Sequence, residues 1–147
     1  MKKPIVLFLV SLVLITSGAL AQTNKVSVKT EAANHKVVVQ LSTNDVAQWN
    51  LLMNNLKFLK AAWGEQVAIE VVAYGPGVDM LMTNTPQKDK IADFKKQGIA
   101  FVVCENTMKV RNIAKEEIIQ EAGYVPSGVG ELVLKQEQGW SYFKAGY

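Results

Sequence analysis

The chemistry this sequence offers centres on one thiol. Cys104 is the only cysteine among 147 residues. It closes the run Gly98-Ile99-Ala100-Phe101-Val102-Val103, and a short β-branched run bounded by glycine reads as a buried strand. Glu105, Asn106 and Thr107 follow, residues of the kind that begin helices. A thiol placed between a strand end and a helix start is partly ionised by backbone N–H groups and the positive end of the helix dipole. Lys109 and Arg111 add positive charge if they point inward. A thiolate so placed is a nucleophile towards sulfane sulfur, disulfides and peroxides. The plainer reading is a small buried side chain in a packed strand.

Other chemistries are excluded by residue types. One His and one Cys cannot build a tetrahedral zinc site from soft ligands, so no metal is expected. There is no Cys-x-x-Cys pair for dithiol exchange, and a lone cysteine forms no internal disulfide. No G-x-S-x-G elbow is present. Neither nucleotide-binding glycine pattern is met, and no cofactor is expected. The acidic residues are scattered over helix surfaces, which leaves no carboxylate pair for acid–base work.

The elements that must position the thiol alternate between strand and helix. His35–Leu41 is a β-branched strand suited to burial on both faces. His35, the only histidine, lies at its start, opposite the Cys104 end. Ser42, Thr43, Asn44 and Asp45 are helix-capping candidates. A helix from about Asp45 to Trp63 presents Val46, Trp49, Leu52, Met53, Leu56, Leu59 and Trp63 on one apolar face. Gln66–Ala73 is the second strand, ending in the turn Tyr74-Gly75-Pro76-Gly77. A helical turn at Val78–Met82 and a helix at Gln87–Gln97, with Ile91 and Phe94 inward, lead to the Cys104 strand. Helical stretches are expected at Met108–Asn112 and Lys115–Glu121, then an edge strand at Gly123–Pro126. A helix beginning at Ser127-Gly128, with Gly128 and Glu131 as a capping pattern, runs to Gln138. The strand Trp140–Lys144 is last. The alternation predicts a parallel or mostly parallel sheet covered on both sides. In such a sheet, ligands gather beyond the carboxyl ends of the strands. Ser42, Thr43, Asn44, Gly75 and Gly77 then form the rim of a pocket around Cys104.

The first residues stand apart. Lys2 and Lys3 precede an apolar run from Ile5 to Ile15, and Ala19-Leu20-Ala21 has the A-x-A cleavage pattern. Residues 1–21 read as a secretory signal peptide cut after Ala21, which implies a periplasmic protein. No later run is long enough to span a membrane. Cleavage takes the 16 basic residues to 14 against 13 acidic, so the formal charge falls from +3 to +1. Nothing then suggests a nucleic-acid surface. Residues 22–34 are a polar, mobile lead-in, and residues 35–147 form one domain.

The block Gly98-Ile99-Ala100-Phe101 through Cys104-Glu105-Asn106-Thr107-Met108-Lys109 resembles the central segment of DsrE/DsrF-like proteins. So does the ending, Val129-Gly130-Glu131-Leu132 and Gln136-Glu137-Gln138-Gly139-Trp140-Ser141-Tyr142. The Asn54-Asn55 helix and the strand end Val71-Val72-Ala73-Tyr74-Gly75 fit as well, and the YchN-like branch is the nearest pattern. The resemblance implies a three-layer α/β/α domain with a five-stranded, mainly parallel sheet, assembled as trimers or hexamers. It also implies that Cys104 stands where sulfur-relay members carry a persulfide, exchanged with donor or acceptor proteins. On that reading Cys104 is nucleophile and carrier, the amides near Asn106 and Thr107 stabilise the anion, and Lys109 adds charge. Two other functions stay open: a non-catalytic oligomeric binding module, and a single-cysteine redox or peroxide-reactive protein. Trp140, Tyr142 and Phe143 on a terminal strand put at least one aromatic outward, which suits a contact between copies of the chain.

Overall fold

The computed structural model of the protein describes residues 34–146. The expected signal peptide and residues 22–33 of the lead-in lie outside them. Five strands form the sheet: β1 His35–Leu41, β2 Val67–Ala73, β3 Ile99–Cys104, β4 Gly123–Val125 and β5 Ser141–Ala145. Their order is β4-β3-β2-β1-β5, and all four pairings are parallel, where a mainly parallel sheet was expected. The central strands read as almost unbroken Val, Ile and Phe because both of their faces are covered.

The helices are α1 Val46–Trp63, α2 Lys88–Lys96, α3 Glu105–Arg111 and α4 Gly128–Glu137. The chain steps from β1 to β4 across four neighbouring strands, then returns to place β5 on the far side of β1. The helices follow that reversal. Trp49, Leu52, Met53 and Leu56 of α1, Ile91 and Phe94 of α2 and Met108 of α3 join the core on the face of Val39, Val71 and Phe101. α4 sits on the opposite face, where Leu132 packs with Val38, Val72, Val102 and Val125, flanked by Tyr74 and Trp140. The result is three layers, a larger core on one side and a small one under α4.

Several boundaries differ from the sequence expectation. Asp45 is the cap of α1 and not its first residue: its carboxylate accepts the Ala47 N–H at 2.8 Å. Val46 and Trp63, placed on the apolar face by spacing, are partly exposed at the two ends of α1. Trp63 stacks on His35 instead, with ring centroids 4.1 Å apart. The stretch Gly75–Leu81 is a 3-10 helix, longer than the single turn expected. α3 begins at Glu105, three residues before the expected Met108. The second stretch is only the 3-10 turn Lys115–Glu117. Ser127, not Gly128, caps α4, its hydroxyl accepting the Gly130 N–H at 3.1 Å.

Candidate functional site around Cys104

Cys104 is the last residue of β3 and, at the same time, the cap of α3. Its sulfur takes the role a Ser or Asp oxygen takes at most helix starts, accepting the Thr107 N–H at 3.4 Å. That dual role explains the early start of α3. Cys104 pairs in register with Val125 of β4, which ends just before Pro126 and α4. Two helix starts therefore converge on one sulfur, α3 from within the same segment and α4 from across the edge strand. The side chain is 4 % exposed.

The donors around the sulfur decide its ionisation. Burial pushes the Cys104 thiol up, because a charged sulfur loses water. The Thr107 hydroxyl and the N–H groups of Gly128, Thr107 and Asn106 outweigh that, and the pKa ends below the ordinary thiol value. Asn106 N–H also reaches the Pro126 carbonyl at 3.3 Å. Gly128 can approach because it has no side chain: a Cβ there would lie 2.8 Å from Cβ of Tyr74.

The glycine turn after β2 reaches the same place. Gly75 N–H donates to the Thr107 hydroxyl at 3.0 Å, and its carbonyl accepts from Arg111 Nη1 at 3.0 Å. Gly75 has φ +54°, a conformation that favours glycine. Gly77 is pressed against the end of β1, where a Cβ would come within 2.1 Å of the Leu41 carbonyl oxygen. Both glycines are thus needed by the turn itself.

The expected rim assembles in part. Cys104, Asn106, Thr107 and Gly75 come together around the sulfur, with Gly77 behind them. Ser42 connects indirectly: Gln40 donates to its hydroxyl at 3.2 Å and to Tyr74 hydroxyl at 2.6 Å, and Tyr74 lies against Gly128. Tyr142 donates to the other side of the Gln40 amide. Thr43 is occupied with α1, accepting the Asp45 N–H at 3.2 Å and, at its carbonyl, Trp49 Nε1 at 2.8 Å. Asn44 and Lys109 are exposed. Gly128 and Tyr74 were not expected at the site. Only their position at a helix start and a strand end hinted at it. No group of three or more His, Cys, Asp or Glu side chains suited to a metal ion occurs among the described residues.

A parallel α/β sheet with one thiol at the carboxyl end of a central strand, under two helix starts, defines a compact class of single-cysteine α/β domains. The chain belongs to the DsrE/DsrF-like family, whose pattern matches residues 31–145. It is similar to a solved protein of unknown function from Methanobacterium thermoautotrophicum, at 32 % identity and a TM-score of 0.73. That match covers 76 % of this chain and 99 % of the other. A protein of unknown function from Bacteroides thetaiotaomicron shares the fold at 17 % identity and a TM-score of 0.61, over 78 % of this chain and 97 % of its own. No curated protein matches the chain.

Proposed function

We propose that this protein is a sulfane-sulfur carrier of the YchN-like branch, exported to the periplasm, with Cys104 as the atom that accepts and passes sulfur. The observation that carries the reading is the placement of the Cys104 sulfur at the end of β3 as the cap of α3, accepting the Thr107 N–H at 3.4 Å, in surroundings that hold the thiol below its ordinary pKa. In the transfer, the Cys104 thiolate attacks the outer sulfur of a persulfide R–S–SH. The new S–S bond forms as the old one breaks, R–S⁻ leaves with the electron pair, and Cys104–S–SH remains. The same N–H groups that hold the thiolate then hold the persulfide anion. Asn106 and Thr107 are the supporting residues. Export is read from Lys2-Lys3, the Ile5–Ile15 run and Ala19-Leu20-Ala21.

The domain acts as a homo-oligomer, a trimer or hexamer, exchanging sulfur with donor and acceptor proteins. Support comes from apolar side chains that the described residues leave uncovered, among them Val129, Val133 and Leu134 on α4 and Tyr142 on β5.

One observation favours a second reading. At 4 % exposure, Cys104 fits a packed structural thiol in a binding module. Intact mass separates the two. Protein recovered from the periplasm and incubated with a small persulfide gains one sulfur, and Cys104→Ser gains none. If the native protein takes up no sulfur, and alkylating reagents reach Cys104 only after unfolding, the carrier reading is wrong and the packing reading stands.

A further inference from the structure

A cleft of about 720 Å³ opens between α1 and α2, a size that suits a small organic molecule. It is lined by Gly64, ahead of β2, and Gln97, ahead of β3, so it lies at the end of the sheet opposite Cys104. Sulfur transfer at Cys104 gives it no role. Met53 and Phe94, at 3 % and 9 % exposure, are its apolar floor. Lys57 and Lys60 of α1 and Lys90 of α2 also line it, with Glu65 and Asp93.

The lysines exceed what the helices need. Both helices end at this cleft, and helix ends carry partial negative charge. Lys60 answers that charge at α1. Its side chain is 9 % exposed, and its ammonium donates to the Gly64 carbonyl at 2.8 Å and lies 3.8 Å from Glu65. Lys57 sits nearly a turn earlier and forms no ion pair among the described residues. It is a neighbour of Lys60 on the helix surface, where like charges repel. Lys90 is the third residue of α2, in the first turn, where the helix dipole disfavours a cation. Its ammonium is tied to the Asn50 amide oxygen at 3.3 Å, a neutral partner. The two carboxylates do not change this. Asp93 is taken by Lys96 at 3.1 Å, and the Glu65 side chain is 94 % exposed to water. Lys57 and Lys90 therefore stand on the two walls with no carboxylate assigned to either.

We infer that the cleft between α1 and α2 binds a small organic monoanion with an apolar body, its carboxylate held by Lys57 and Lys90 and its body laid on Met53 and Phe94. Three ammonium groups against two carboxylates line the cleft, and the one positive charge left over is balanced by a monoanion. The apolar body takes its share of the binding from the water it displaces over the floor. A bare inorganic anion would meet the lysines and leave that floor wet.

The test is calorimetric titration of the purified chain at neutral pH with phenylacetate, set beside phenylacetamide and acetate. Phenylacetate should bind, and the other two roughly tenfold more weakly or not at all, since each lacks one half of the recognition. Lys57→Met and Lys90→Met remove the charge and keep the apolar stem. Each should weaken phenylacetate binding roughly five- to tenfold, about the worth of one hydrogen bond to a charged group. Lys109→Met, on α3, should bind as the wild type does. So should Cys104→Ser, which makes the result independent of whether Cys104 carries sulfur. No binding of phenylacetate at millimolar concentration, equal binding of phenylacetamide or of acetate, or unaltered binding in either Lys57→Met or Lys90→Met would overturn the inference. Lys57, Lys90 and Lys109 are exposed, so the variants should keep the wild-type thermal melt, which is checked first.

Discussion

Cys104 does two jobs with one atom, and each constrains the other. As a cap it replaces the oxygen that usually closes a helix start. As a titrating group it draws on the same N–H donors. A fold that stabilises the thiolate must be stabilised by it in turn. The folded-state pKa of Cys104 lies below the ordinary value, so its contribution is fully present above the ordinary thiol pKa. It is lost as pH falls through the lowered folded-state value. Urea denaturation of wild type and Cys104→Ser at a series of pH values measures this. The wild-type advantage should grow with rising pH between those two values and be flat below them. Parallel curves at every pH would show that the sulfur is not held as an anion.

At the scale of elements, α4 carries more of the site than its length suggests. It alone covers one face of the sheet among the described helices, on a core of a few side chains around Leu132. Its first residue, Gly128, supplies an N–H to Cys104. Leu52 of α1 is also buried, on the opposite face. Leu52→Ala and Leu132→Ala should each cost about 2–5 kcal/mol in urea denaturation, from lost transfer energy and the cavity left behind. Only Leu132→Ala should also raise the thiolate titration midpoint, because only it loosens the seat of Gly128. Equal effects on the titration would mean that the α4 start is not part of the site.

The same elements show what could be read from residue order. β1 falls on its expected residues, and β3 ends on Cys104 as expected, because β-branched runs bounded by glycine or polar residues have few other uses. α3 starts three residues ahead of the expected Met108 because sulfur is not among the usual caps, so Glu105, Asn106 and Thr107 read as helix-starting residues and not as the first turn itself. Lys115–Glu121 carried helix-forming residues, yet Ile118 and Ile119 are drawn into the main core and Met82 bridges to Ile118, which ends the helical turn early. Gly128 and Tyr74 could not be tied to Cys104 from the sequence. Their distance in the chain says nothing of a meeting that depends on strand order.

At the scale of the whole molecule, most of the exposed large apolar side chains fall in two regions, with Val110 of α3 and Tyr124 of β4 apart from both. α4 and β5 show Val129, Val133, Leu134 and Tyr142, while α1 shows Leu51 and Phe58, the latter 69 % exposed. Of the terminal-strand aromatics, Trp140 and Phe143 are tucked in, with Lys135 Nζ 4.4 Å over the Trp140 ring, and only Tyr142 faces out. The proposed assembly should therefore use the α4–β5 side, where large apolar residues flank polar ones. Light scattering should give a multiple of the monomer mass for the wild type and a smaller species for Val133→Glu. A wild type that elutes as a monomer at all concentrations would reject the oligomer.

Because every strand runs the same way, the domain has a quiet end and a busy one. The chain enters β1 at His35 on the quiet end, and it leaves β5 at Ala145 on the end that carries Cys104. Three strand spacings, roughly 14 Å, separate that exit from the sulfur's strand. An affinity handle or surface tether joined ahead of His35 would leave the Cys104 end of the sheet facing free solution. One joined after Gly146 would crowd it, so the choice of terminus decides whether an immobilised partner search sees the site at all.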